Sequence, residues 1–207
     1  MESVQPSTVR SQARQRADRV KPGRCRNLIA VLENPGDVRN IGAVIRNVNA
    51  LGVEKAYIVD QHRILPADWQ DMRLHTELSK KSVSAIKWSF VKRFDSSEAC
   101  LAHLEKNRFT SIVTSPHRKG RQNVILHEAD YTGYTKLAVW FGNESRGISD
   151  LVVDQSELCV NIPMFGMIES LNLGTTSGIV LYEITRQRRA YQSKDKRAGK
   201  RQPVASQ

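Results

Sequence analysis

Residues 28–59 read LIAVLENPGDVRNIGAVIRNVNALGVEKAYIV, and their pattern decides the architecture. Residues 28–32 form an apolar run of strand length, halted by Asn34-Pro35-Gly36-Asp37, a cluster of turn-forming residues. From about residue 41 to 51, Ile41, Val44, Ile45, Val48 and Leu51 recur at helical spacing. Asn40 stands in front of this helix as its expected cap and Gly52 behind it. Residues 55–59 are again strand-like. A strand, a helix and a second strand in so few residues make a β-α-β unit, which requires parallel strands. Working outward, residues 98–106 read as a helix, while 111–114, 137–141 and 159–162 read as strands. A closing helix is expected over 173–190. The fold class is therefore α/β, with an open, mostly parallel sheet flanked by helices.

The chain has 207 residues, of which 40% are hydrophobic, enough for one domain with a real core. No apolar run approaches the ~20 residues that cross a bilayer. The first residues lack the apolar segment of a secretory signal, and Glu2 and Asp18 weaken a mitochondrial reading, so a cytoplasmic location is expected. Cys25, Cys100 and Cys159 are isolated and odd in number, as reduced thiols would be. No His or Cys spacing forms a metal set, so no metal is expected. The net charge of +11 is concentrated at the ends. Seven cations lie between Arg10 and Arg26 against Asp18, and eight between Arg186 and Arg201 against Asp195. Basic ends on a nearly balanced middle fit a polyanion such as RNA, because each phosphate contact releases condensed counterions; solubilising tails are the alternative. Residues 1–26 are expected to be a basic, flexible arm, helical in part, and 192–207 a basic tail, around a domain of 27–191.

Ligands of such sheets sit beyond the carboxyl ends of the strands. No G-x-G-x-x-G follows a strand and no G-x-x-x-x-G-K-[ST] is present, so ordinary dinucleotide and triphosphate binding lose their usual support. Three stretches draw attention instead. In N-I-G-A-V-I-R (40–46), Arg46 points away from the apolar face, among Gly42, Ala43, Asn49 and Ala50. Small residues let another backbone approach, so this face is expected to meet a second surface, such as a partner subunit, with Arg46 aimed at an anion. In F-G-N-E-S-R-G (141–147), an apolar strand runs into Gly142, where a ligand could touch backbone, and Glu144 follows at the mouth of a site. In I-P-M-F-G-M-I-E-S-L-N-L-G-T-T-S-G (162–178), Pro163 fixes the chain, Ser170 or Asn172 caps the closing helix, and Leu171 is an apolar loop residue suited to cover an aromatic ring. Gly174 and Gly178 share one helical face. This third run of small polar residues fits backbone held close to a ligand, to another helix, or to both.

In this order and at these distances, the three stretches resemble the SpoU (TrmH-like) family of RNA ribose 2′-O-methyltransferases, within the SPOUT superfamily. The resemblance spans roughly residues 28–190. It implies a C-terminal deep trefoil knot, a bent S-adenosylmethionine held by the knot loops, a homodimer, and a tRNA or rRNA substrate reached through the basic ends. It implies that Arg46 is the catalytic arginine, supported by Asn40, and that Glu144, Ser170 and Asn172 are the polar residues of the second and third motifs. Thr114, Gly142, Ile162, Met164 and Leu171 match positions that contact the cofactor, largely through backbone. Two departures stand out. Residues 170–178 read S-L-N-L-G-T-T-S-G where relatives often have S-L-N-V-S-V-A-A-G, and Asn47 replaces a small Thr or Ser. The N-terminal RNA-binding domain of many relatives has no counterpart here, and the basic arms are expected to serve instead. A sulfonium methyl is already activated, so alignment with the 2′-oxygen is the main task. Arg46 is either the base, as proposed for the family, or, since guanidinium normally stays protonated, a stabiliser of the alkoxide or a grip on the adjacent phosphate. The alternatives are a non-catalytic RNA-binding relative and an unrelated α/β enzyme.

Overall fold

Seven strands, all parallel among the described residues, form one sheet in the order β3-β2-β1-β6-β4-β7-β5. The computed structural model describes residues 12–199. In chain order the elements are α1 (Gln12–Val20), a 3-10 turn (Lys21–Gly23), β1 (Cys25–Glu33), α2 (Val38–Ala50), β2 (Val53–Val59), α3 (Trp69–Leu74), α4 (Thr76–Lys81), a second 3-10 turn (Ala85–Trp88), β3 (Phe90–Phe94), α5 (Ser97–Lys106), β4 (Thr110–Thr114), β5 (Asn123–Ile125), β6 (Leu137–Phe141), α6 (Asp150–Asp154), β7 (Leu158–Asn161) and α7 (Leu173–Gly199).

Alternation along the strands divides the core into two layers. Leu28, Ala30 and Leu32 of β1 face α2, α4 and α7 with Ile41, Val44, Ile45, Leu78 and Leu181. Ile29 and Val31 face the other way, toward α5 and α6, with Cys100, Leu104, Trp140 and Val152. The apolar run that decided the fold is continuous because both of its faces are buried, as parallel strands require.

Several sequence expectations shift. The helix begins three residues before its predicted start, and Asp37 is its cap, accepting from the Arg39 backbone N–H at 2.7 Å. Asn40 lies inside the first turn. The Arg39 side chain also donates to Asp37, holding that carboxyl below its ordinary range. The sheet begins at Cys25, inside the supposed arm, whose residues 12–20 form a helix, in keeping with the partial helicity expected there. Residues 1–11 of that arm, and 200–207 of the C-terminal tail, lie outside the described residues. The closing helix continues past residue 190 to Gly199, so the first part of the supposed tail is helix.

The small face of α2 is largely filled within the chain. A Cβ on Gly42 would lie 2.5 Å from Lys81 Cβ of α4, and one on Gly174 of α7 would lie 2.8 Å from Ala43 Cβ. Asn47 donates to the Gly174 carbonyl at 2.7 Å and to Ser177 Oγ at 3.0 Å. Asn47 therefore pins α2 to α7.

Candidate functional site

The carboxyl ends of β1, β6, β4 and β7 lie side by side, since Leu32 pairs with Phe141, Phe141 with Thr114 and Thr114 with Val160. Three of the predicted residues leave from these ends, namely Thr114, Gly142 and Ile162. Thr114 is buried and its hydroxyl donates to the Trp140 carbonyl at 2.9 Å, so its side chain ties two strands together. Gly142 opens a tight loop closed by the Asn143–Gly147 bridge. A Cβ there would lie 2.3 Å from the Gly147 carbonyl carbon. The glycine is demanded by the loop folding back on itself, before any ligand is considered.

That loop reaches across to the start of α2. Asn143 donates to the Asn34 carbonyl at 2.6 Å. Both Glu144 oxygens are engaged: one accepts from the Gly36 N–H at 2.9 Å, the other from the Asn40 side-chain amide at 2.6 Å. Asn40 in turn accepts from the Asn172 amide at 3.0 Å, and Asn172 accepts from the Gly174 N–H at 2.8 Å, capping α7. The donors all point one way, from the first turn of α7 through two side-chain amides to a carboxylate. Because Asn172 must accept from Gly174, its amide nitrogen faces Asn40, which fixes both amides. The three sequence motifs thus meet in one hydrogen-bonded chain. Beneath it, buried Glu33 at the end of β1 accepts from the Ser97 and Ser149 hydroxyls, each at 2.6 Å, and from the Ser149 N–H at 2.8 Å, anchoring the far end of the same loop.

The remaining predicted residues are uncommitted. Arg46 is exposed and makes no hydrogen bond or ion pair with any described residue; six residues after Asn40, it lies about 9 Å further along α2. Ser170 is exposed and likewise without a partner among the described residues. Met164 is half-buried and Leu171 exposed at 37%. From Pro163 to Leu171 no backbone N–H donates a hydrogen bond among the described residues, while Phe165, Met167 and Ile168 stand out in solvent. Apolar side chains exposed together on one loop make a surface suited to packing against a partner. Beside it, Ile162, Pro163, Phe165, Gly178, Ile179 and Tyr182 line an apolar groove of about 620 Å³ along α7.

Sequence reasoning missed Asn34, Gly36, Asn143 and Asn47. The first three sit in the turns after β1 and β6, and N-P-G and G-N-E directly after apolar runs were the available signal. Asn47 was legible only as a departure from the family pattern, and its role was not, because its partners are 127 and 130 residues away. Among the described residues, no group of three His, Cys, Asp or Glu side chains could hold a metal ion, and no helix is long and apolar enough to cross a membrane.

The fold and site define a parallel α/β protein with a polar cluster and an exposed loop at the carboxyl ends of its strands, where such sheets take their ligands, and without a glycine-rich phosphate loop among the described residues. The chain belongs to the SpoU rRNA methylase family, whose model matches residues 27–182. It is 31% identical over 165 residues, 80% of this chain and 72% of the relative, to the tRNA (guanosine(18)-2′-O)-methyltransferase of Aquifex aeolicus. The crystal structure of the A. aeolicus TrmH/SpoU tRNA modifying enzyme is similar with a TM-score of 0.69 at 25% identity, covering 86% of this chain and 85% of that one. The SpoU methyltransferase AviRb from Streptomyces viridochromogenes, solved in complex with the cofactor AdoMet, is similar with a TM-score of 0.66 at 25% identity, over 84% of this chain and 64% of that one.

Proposed function

We propose that this protein transfers a methyl group from S-adenosylmethionine to a ribose 2′-hydroxyl of tRNA or rRNA. The observation that carries the reading is the convergence of the three motifs, Asn40, Glu144 and Asn172, in one hydrogen-bonded chain beside a loop with unmade backbone bonds.

The residues present fit the cofactor. A molecule with an adenine ring, a ribose and an amino-acid end needs backbone donors and acceptors next to apolar side chains, and the stretch from Ile162 to Leu171 offers both. Ile162, Met164, Leu171 and the backbone around Gly142 are assigned to it, with Thr114 fixing the strand ends beneath. When bound, S-adenosylmethionine supplies a methyl on a sulfonium, which needs alignment more than activation. Arg46 is assigned to the RNA. A guanidinium keeps its proton in proteins, so its task is to stabilise the negative charge growing on the 2′-oxygen or to grip the adjacent phosphate. Asn40, Glu144 and Asn172 are assigned to holding the first turn of α2 and the cofactor loop in register. Ser170, unpaired two residues before the α7 cap, is assigned to ligand contact.

The C-terminal segment is inferred to form a trefoil knot. The reading is supported by β6 lying between β1 and β4 and by α7 returning to α2 from β7, one strand in from the edge. A homodimer is inferred from the apolar surface of Phe165, Met167, Ile168, Ile179 and Tyr182, and light scattering should return twice the mass of one chain. A cytoplasmic location is inferred with it, supported by the lack, among the described residues, of a helix long and apolar enough to cross a membrane. The decisive experiment incubates the protein with isotopically labelled S-adenosylmethionine and bulk tRNA or rRNA, then digests to nucleosides for mass spectrometry. Labelled 2′-O-methylnucleosides are expected. Cofactor binding without transfer to either RNA would sink the enzymatic reading in favour of an RNA-binding relative.

A further inference from the structure

On the edge of the sheet furthest from the C-terminal loops, aromatic side chains stand in solvent among cations. Trp88 and Phe90 are each 51% exposed, although large rings ordinarily bury most of their area. Phe90 stacks on Trp69, with centroids 6.1 Å apart and planes at 28°. The Arg73 guanidinium lies 5.4 Å from the Trp69 ring centroid and Lys55 Nζ lies 5.7 Å from that of Phe90. Arg73 also donates to the Lys87 carbonyl at 2.9 Å, so the two aromatic segments are held as one surface. Lys55 has Glu54 as a neighbour at 3.3 Å, and Asp68, Asp71 and Glu77 are the exposed acids of the adjoining α3–α4 segment. Against these stand Arg73 and exposed Lys80, Lys81 and Lys87. This surface is tied to α2 by Asn49, whose amide donates to the Trp88 carbonyl at 3.4 Å and Ser89 Oγ at 3.2 Å. Asn49 lies one helical turn beyond Arg46.

The geometry points to a nucleobase-stacking platform: Trp88 and Phe90, edged by Lys55, Arg73 and Lys87, take an unpaired base or two of the RNA whose ribose is presented to Arg46. The inference rests on the RNA methyltransferase reading and goes beyond it by naming where substrate outside the target nucleotide is held. Chemistry favours RNA over protein. Half-exposed rings with cations over their faces or at their rim match a base and its flanking phosphates, whereas lysine is depleted at protein interfaces. Distance fits as well. Asn49, which ties the platform to α2, is three residues from Arg46, about 4.5 Å along the helix axis, so the platform lies beside the nucleotides next to the one presented to Arg46.

The test compares the full chain with Trp88→Ala, Phe90→Ala and the ring-conserving Trp88→Phe and Phe90→Tyr, all with circular dichroism matching wild type. Two quantities are read: KM and kcat for methyl transfer to bulk tRNA or rRNA, and binding of a single-stranded uridine oligonucleotide followed by tryptophan fluorescence. Each alanine variant should raise KM and Kd about tenfold with kcat and S-adenosylmethionine affinity unchanged, the conservative variants should stay within about twofold, and the oligonucleotide should quench wild type more than Trp88→Phe. Methyl transfer by wild type with unchanged KM in both alanine variants overturns the platform, as does an equal loss in the conservative variants. A surface that serves a protein partner gives the first of those results. Ring-dependent binding with no methyl transfer in wild type overturns the enzymatic reading instead and leaves the platform standing.

Discussion

At the scale of single residues, the site separates groups already engaged from groups still free. Arg46, exposed and unpartnered among the described residues, contributes little to the folded state, so Arg46→Ala should lower methyl transfer by at least about 100-fold. The affinity for S-adenosylmethionine, measured by calorimetry, should stay near wild type; retained turnover would refute the assignment. Glu144 is the opposite case, with both oxygens accepting hydrogen bonds. Glu144→Gln turns one acceptor into a donor facing Gly36 N–H or the Asn40 amide, and should cost about 1–2 kcal/mol. In a protein of this size that is a fall of roughly 2–8 °C in Tm by scanning calorimetry. Wild-type Tm in this variant would mean that the relay does not brace the loops. The buried thiols give a third expectation. Burial raises Cys25, Cys100 and Cys159 above the ordinary thiol range. A raised value means less thiolate at neutral pH, and thiolate is the reactive form. All three should react slowly with a disulfide reagent until the protein is denatured, and a fast native phase would contradict their burial. The sequence showed which residues matter at this scale better than what they do. Asn40 was legible as important and misread as a cap, because Asp37, taken for part of the turn, also ends it and caps the helix.

At the scale of elements, α2 is clamped from both sides. Gly42 admits the end of α4 and Gly174 admits Ala43, each at a distance no Cβ can share. Gly174→Ala should therefore push α7 from α2 and destabilise by about 1–3 kcal/mol, read as a lower urea midpoint. Because the Asn172 cap contacts the same glycine, the cofactor affinity should fall with it. An undiminished midpoint would show that the helices have room to spare. The small-residue face was legible in the sequence as a place of close approach, but its neighbour was not. Periodicity gives the direction a face points; only long-range pairing tells what lies there, and the chain's own α4 and α7 take most of the space expected for a partner. The same limit hid β3 and β5. Phe90–Phe94 lies on an edge, is interrupted by Lys92 and Arg93 and overlaps the aromatic surface, while Asn123–Ile125 has only three residues and exists as a strand through its pairing with β7. The longer buried strands were read from their apolar runs, and Leu137–Phe141 to the residue.

At the scale of the molecule, the net charge of +11 is less available than its sum implies. Arg188 is buried and donates to the carbonyls of Tyr131, Tyr134 and Thr135, and Arg189 donates to the Leu51 carbonyl at the end of α2. Arg186 pairs with Glu183 and holds that carboxyl below its ordinary range. Three cations that the sequence assigned to an RNA-binding end thus serve the fold. RNA affinity should depend instead on what remains. Deleting residues 1–20, which removes Arg10, Arg14, Arg16 and Arg19, should lower the slope of log affinity against log salt by up to about 3. An unchanged slope would release the N-terminal segment from that role. The sheet order carries one more implication. β6 supplies the middle of the sheet, pairing Ile29 with Ala138 on one side and Ile112 with Val139 on the other, yet it is made after both of its neighbours. While a ribosome is still adding residues before Leu137, the growing polypeptide holds a β3-β2-β1 fragment whose β1 border is open, and β4 has neither of its partner strands, so the apolar centre of β1 is exposed to a neighbouring nascent chain.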